Sequence, residues 1–271
     1  MTDGIDIRAC RRRLGLAAAF TAVTLSQAFG QASPVELRAE ASFPAQYVES
    51  IARNARQNTT SGAPHFALAA IANLQSGLSS AIFASGGHEP LGSFREAGNT
   101  FASIGGNIVK RWGGLSTGVS LEHTHYYEDA FGRTASIGNE ANVFVRQTFS
   151  PNRDWAIQPS LTANVRANED LAVQRYGLSG RIDLERRLIG SWWLVASSRL
   201  RINTFVGSES GRRDVRTAIV GGLKYVFNDN VDARLLAGYE HRASNVADRG
   251  GDRFVVGVSL NLSLSTARPL R

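Results

Sequence analysis

Three sets of side chains in this 271-residue chain have types and spacings that could do chemistry. His123 and His125 lie two apart, which on an extended strand puts both imidazoles on one face, as metal sites use. His241 with Ser244, and Glu122 with His123, hold ingredients of general-base or nucleophilic catalysis. The third set is larger: arginines recur at alternating positions from Arg166 to Arg253, and guanidinium groups gathered on one face attract anions.

Which set can act depends on the elements that carry it. The run 155–166 shows those elements best, with Trp, Ile, Pro, Leu, Ala and Val on one face and Gln, Ser, Thr, Asn and Arg on the other. Such a strand separates an apolar side from a wet one. The same alternation marks twelve segments, 35–43, 66–74, 78–85, 100–111, 115–127, 138–149, 155–166, 174–187, 192–205, 214–227, 231–242 and 253–264, with ten or fourteen as the alternative counts. The breaks at 75–77, 112–114, 150–154, 188–191 and 228–230 are short. Those between them, such as 86–99, 128–137 and 243–252, are mostly longer and rich in Gly, Asn, Asp and Glu, and 44–63 reads as a further long break.

An even strand count with alternately short and long connections, and both ends on the short side, predicts an all-β fold. It is a transmembrane antiparallel up-and-down β-barrel with apolar residues outside and polar residues inside. Aromatic placement agrees. Trp112, Trp155 and Trp192, with Phe149 and Phe227, fall beside the short turns, and Tyr127 and Tyr239 fall near the long ones, as two interface girdles would. A soluble β-sandwich is the rival architecture, but it gives no reason to sort Trp to one end of its strands. His123 and His125 share the apolar face with Val119, Leu121 and Tyr127, so they read as girdle residues, and no metal is expected. Glu122 and His123, as neighbours on a strand, point to opposite faces. Gly105-Gly106 and Gly221-Gly222 sit inside strands as bends or close contacts, not as phosphate loops.

Residues 1–32 read as a cleaved export signal: Arg11-Arg12-Arg13, an apolar run from Leu14 to Leu25, then small residues ending at Gly30 or Ala32. A spanning helix needs about twenty apolar residues, more than this run holds. The single Cys, Cys10, precedes the run and would leave with it, and 33–271 form the barrel domain. The formal charge is +7, of which Arg8, Arg11, Arg12 and Arg13 against Asp3 and Asp6 account for two. A pI near 10.1 could suggest nucleic acid, but an exported chain with no basic helix or aromatic-basic platform takes no nucleic-acid partner. The basic excess therefore belongs on the barrel.

The last strand carries a resemblance. In 254–264, Gly257 is followed by hydrophobic residues at alternate positions, with Leu260 and Leu262 in place, and this resembles the C-terminal assembly signal of proteobacterial outer-membrane β-barrels. Val255 stands where that signal prefers a polar residue, and the chain runs on from Ser265 to Arg271 without a terminal aromatic. As architecture the chain is similar to porin-like barrels. The resemblance implies the bacterial outer membrane as location, and membrane lipid, lipopolysaccharide and the barrel-assembly machinery as partners.

Inside such a barrel the alternation places Arg181, Arg199, Arg201, Lys224 and Arg234 against Glu122, Asp183, Glu185, Asp232 and Glu240. Hairpin registers set Arg166 beside Arg175, and Arg242 beside Arg216 and Arg253, near the outer mouth, where they would attract anions. The expected function is a porin-like passive channel for small, preferably anionic, solutes, with no catalysis and no cofactor. A closed structural or surface-recognition barrel, a barrel aiding export of a surface polymer and a barrel-embedded hydrolase are the alternatives. Oligomeric state, solute and lumen width are open at this level.

This topology predicts which connections face the cell exterior. Epitope tags inserted in 86–99 or 207–213 should be reached by antibody on intact cells, and a tag at Asp229 should not. Surface labelling at Asp229 alone would invert the barrel.

Overall fold

A strand in lipid must pair along both edges, because an unpaired backbone N–H or C=O has no water to bind. The chain meets this requirement by closure. In a computed structural model, residues 35–52, 55–62, 64–88, 100–127, 134–168, 174–206, 211–247 and 249–266 are described. They form β1 (Glu36–Ala52), β2 (Ala55–Gly62), β3 (His65–Asn73), β4 (Leu78–His88), β5 (Thr100–Trp112), β6 (Leu115–Tyr127), β7 (Thr134–Gln147), β8 (Trp155–Asn168), β9 (Arg175–Ile189), β10 (Trp192–Phe205), β11 (Arg213–Asn228), β12 (Val231–Ser244) and β13 (Gly251–Ser265). Each strand from β3 to β12 pairs antiparallel with the next in sequence. β1 pairs with β13 from Arg38↔Ser265 to Ile51↔Asp252, which joins the two ends of the sheet.

The other edge of β1 is shared. Its first part, Glu36 to Ser42, pairs with β3, and its second part, Ala45 to Ala52, pairs with β2. Since β2 and β3 occupy one place beside β1, thirteen strands make a closed barrel of twelve staves. This corrects the reading of 44–63 as a break: β1 runs through Pro44 to Ala52 and returns as β2. Pro44 is tolerated because a proline is excluded only where its missing N–H is needed. The connection expected at 128–137 is shorter, since β7 starts at Thr134, and that expected at 243–252 shortens to the stretch between Ser244 and Gly251. Phe149 lies outside β7 and makes an isolated bridge to Ile157. The expected signal, 1–32, and most of the breaks 86–99 and 207–213 lie outside the described residues.

The radial pattern is the reverse of a soluble protein. Among the described residues, the buried hydrophobic set is Ala72, Val195 and Phe205, while large apolar side chains such as Leu121, Val143, Leu161, Val165 and Ile219 stand exposed on the outer face. An apolar surface of that extent needs an apolar solvent. Trp112, Trp192 and Phe227 face outward at the ends beside the short turns, and cations cap the ring system there. Arg186 lies 4.8 Å over Trp155, Lys110 lies 5.9 Å over Trp112, and Trp192, Tyr225 and Phe227 stack edge to face at 4.9 Å. At the opposite end the outward Tyr127 and Tyr239 are joined by Tyr176 and by Phe254, whose ring centroid is 4.9 Å from that of Tyr239.

The inner face is uneven around the barrel. From β3 to β5 the inward side chains are mostly small, among them Ala67, Ala69, Ala81, Ser85 and Ser103. Of the larger ones, Phe83 lies against its neighbour Gly105, where a Cβ would meet the ring at 2.5 Å. That glycine lets the ring lie on the wall instead of projecting into the lumen. Among the described residues, most of the long charged side chains come from the facing wall, β8 to β13, with Glu122 on β6 and Glu140 on β7 beside them.

The outward and inward faces of β8 give a paired test. Leu161 is 52% exposed on the outer face, and Leu161→Arg should cost about 2–4 kcal/mol in assembly near the bilayer midplane. Thr162→Arg, on the inner face, should be far milder. Heat-modifiable migration in mild detergent reports both, and equal losses would mean the faces are exchanged.

Candidate functional site

Strand register turns the arginine series into rows across the inner wall. Outermost, Arg166 (β8) pairs with Arg175 (β9), and Arg175 with Phe205 (β10). Arg212 extends this row, because its carbonyl accepts from the Phe205 N–H at 2.8 Å. One step inward come Asn164, Gly177, Asn203, Asp214 and Ser244, and the next row is Thr162, Ser179, Arg201, Arg216 and Arg242. The row after that runs Ser160, Arg181, Arg199, Ala218, Glu240 and Arg253.

Three arginines side by side on β10, β11 and β12 repel one another unless something holds them. Asp214, one row outward and fully buried, holds Arg242. Its Oδ2 accepts from Arg242 Nε at 3.1 Å and Nη2 at 2.5 Å and lies 3.5 Å from Arg212 Nε. Arg212 also lies flat on the Phe205 ring at 3.4 Å from its centroid, with Arg175 on that ring at 5.9 Å. Asn203 Oδ1 accepts from Arg201 Nε at 3.1 Å, and a Cβ at Gly177 would collide with the Asn203 and Asn164 amides at 2.5 Å. Farther round, Arg166 Nη2 donates to Tyr126 Oη at 2.6 Å and its guanidinium sits 5.1 Å over the Tyr126 ring. The outer rows are thus a packed polar layer, with Asp214 at 0% and Arg242 at 2% exposure.

The short-turn side differs. A cavity of about 540 Å³ is lined there by Arg181, Asp183, Glu185, Arg199, Arg234 and Glu240, three bases against three acids. Its charged groups pair locally: Arg181 Nε donates to Asp183 at 2.7 Å, Arg234 Nε to Asp232 at 2.7 Å, and Lys224 Nζ to Glu185 at 2.5 Å. Lys224 also lies 5.1 Å over the inward ring of Trp193, and Asn261 Nδ2 donates to Asp232 at 2.8 Å. Here the Arg181 and Asp183 side chains keep 43% and 31% of their exposure. The lumen is therefore a wet, charge-balanced vestibule below a tight basic layer.

The structure brings most of the expected charges together and corrects two points. Arg242 pairs with Arg216 and Gly251, not with Arg253, which stands opposite Glu240. Arg175 and Arg242 are buried in the layer instead of lining an open mouth, while Arg166, Arg216 and Arg253 are half-buried. Glu122 pairs on the inner wall with Glu140, which itself pairs with Arg166, and the sequence reading omitted Glu140. It also omitted Asp214, Arg212, Asn203 and Phe205. The missed signal was parity: Asp214, the first residue of the segment 214–227, has the same parity as Arg216. His241 Nδ1 lies 2.7 Å from Asp252 Oδ1 on the outer face, and Ser244, beside Asp214, is on the inner one. Gly257 faces the lumen opposite Leu236, and Leu260 and Leu262 face outward.

No protein-family model matches the chain, and no curated protein matches it by sequence. Among solved structures it is similar to the COG4313 outer membrane channel from Pseudomonas putida F1, at 12% identity and a TM-score of 0.58, over 87% of this chain and 98% of that one. Weaker likenesses are to the beta domain of the Bordetella autotransporter Brka, at 16% identity and 0.46 over 85% and 100% of the two chains, and to the KdgM porin, at 12% and 0.41 over 80% and 97%. The first shows a shared fold, that of an outer-membrane β-barrel; the other two, below 0.5, carry no argument.

Asp214 should be the most costly lumen charge to remove. Asp214→Ala leaves Arg242 in a buried place without its carboxylate, a change that costs about 3–5 kcal/mol. Asp183→Ala breaks an exposed pair and should cost no more than about 1 kcal/mol. Denaturant midpoints of the folded barrels compare the two, and equal losses would contradict the packed outer layer.

Proposed function

We propose that the chain is a porin-like passive channel of the bacterial outer membrane for small solutes, with anions preferred, and that it is not an enzyme. The observation that carries this reading is the contrast along the lumen between a water-accessible, charge-balanced vestibule and an outer layer rich in arginine. The vestibule gives solutes a wet path and no net preference. Selectivity then belongs to the outer rows, where low-dielectric walls focus the field of Arg201, Arg216 and their neighbours. The fold shared with an outer membrane channel supports the class of protein but not the solute. No catalytic cluster is needed, and His241 and Ser244, on opposite faces, cannot act together.

One observation favours the closed-barrel alternative. Full burial of Asp214 and Arg242 means that part of the outer layer is packed as tightly as a protein interior. Conductance separates the two readings.

In planar bilayers the purified protein should conduct and prefer anions. The preference should weaken in salt near 1 M, where the screening length falls to about 3 Å. Changing the half-buried Arg166, Arg216 and Arg253 together to Gln, with Arg242 left on Asp214, should bring the anion-to-cation permeability ratio toward unity. An unchanged ratio would make these arginines structural, and absence of conductance would favour the closed barrel.

A further inference from the structure

On the outer face, away from the lumen, the two histidines singled out by their spacing meet. His123 and His125 lie near the outer end of β6, with ring centroids 4.9 Å apart, and their Nε2 atoms approach to 3.0 Å. On β7, Asn139 places its Oδ1 at 2.8 Å from His123 Nδ1. An amide oxygen only accepts, so the proton of a neutral His123 sits on Nδ1, and its Nε2 lone pair points at His125. A histidine whose second nitrogen donates to a carbonyl oxygen, with the first aimed at a shared point, has the arrangement of a metal ligand. Two imidazole nitrogens bound at about 2.0–2.1 Å to one ion, at angles of roughly 90–110°, lie about 2.9–3.4 Å apart. The observed separation falls in that interval, so both rings could take up one ion with little movement.

We propose that His123 and His125 form a two-histidine site for a single divalent transition-metal ion on the outer rim of the barrel, with Asn139 as a positioning residue. Imidazole selects copper, nickel and zinc over magnesium and calcium, and Cu(II) binds tightest of the divalent series. Among the described residues no third His, Cys, Asp or Glu joins the pair, so water completes the coordination. Without metal, His125 Nε2–H donates to His123 Nε2. On binding, that proton passes through solvent to His125 Nδ1, both Nε2 lone pairs turn to the ion, and no net proton is released. The site is independent of the lumen and of whether the barrel conducts.

The test is titration of the folded, tag-free protein in detergent with Cu(II) alone, followed by calorimetry and by electron spin-echo spectroscopy of the bound ion. One tight site per chain is expected, with the signature of two equatorial imidazoles. His123→Asn and His125→Asn should each weaken binding at least tenfold and leave a one-imidazole signature. Asn139→Ala should weaken binding a few-fold and keep both imidazoles, as a positioning role requires, and His241→Asn should change nothing. Heat-modifiable migration confirms that each variant is folded, and the wild-type spectrum decides the matter even if a variant fails to fold. No stoichiometric Cu(II) binding, a one-imidazole wild-type spectrum, or binding unaltered in both histidine variants would overturn the proposal and leave the pair as a hydrogen-bonded part of the girdle.

Discussion

Everything in this molecule depends on the hydrogen-bonded seam between β1 and β13. In an open sheet of this length two edges would carry unpaired N–H and C=O groups, which lipid cannot satisfy. The seam from Arg38↔Ser265 to Ile51↔Asp252 removes them. Once the sheet is closed, alternation has a single meaning: one parity meets lipid and the other meets the lumen. A one-residue slip at the seam would exchange Phe43, Leu260 and Leu262 with Ser42 and Asn261, sending polar groups into lipid. The apolar exterior therefore enforces the register that builds the inner rows.

Those rows show how a barrel without a hydrophobic core holds its interior. The small side chains of β3 to β5 leave space, and the long side chains of β8 to β13 fill part of it. Where packing is tightest, in part of the outer layer, guanidinium groups are stacked on Phe205 and Tyr126 and gathered on Asp214. Planar, weakly hydrated guanidinium suits such packing better than an ammonium group would. Where filling is partial, in the vestibule, acids and bases pair with near neighbours and stay wet. Position along the barrel axis, more than residue type, decides whether an arginine here is buried as a structural brace or stays exposed in the lumen.

Much of this was legible in the sequence because period-two alternation is a strong signal when one face meets lipid. The stave count, the Trp-rich girdle beside the short turns and the inward place of Arg166, Arg175 and Arg216 all follow from it. The β1–β2 hairpin did not, since Pro44, Asn54, Asn58 and Gly62 carry turn chemistry, and the hairpin's pairing comes from β13 and from itself. Asp214, first in the expected segment 214–227, shares the inward parity of Arg216, but alternation alone does not show that its carboxylate meets Arg242 from the next strand. The burial of Arg242 was beyond reach, because it depends on what packs over it in space. Nor could spacing tell that His123 and His125 meet at 3.0 Å, since that depends on Asn139 across the strand boundary.

Closure in this register is most directly tested by a cross-link at the seam. Ser42 and Asn261 are paired across it, with the Ser42 hydroxyl donating to Asn261 Oδ1 at 2.9 Å. In a chain with Cys10 replaced by Ser, the pair Ser42→Cys and Asn261→Cys should oxidise to an intramolecular disulfide in the folded protein. Ser42→Cys with Ser259→Cys, or with Ser263→Cys, should oxidise much less. A disulfide favoured in either shifted pair, or none from 42 to 261 in protein that is folded by heat-modifiable migration, would contradict the closed twelve-stave barrel.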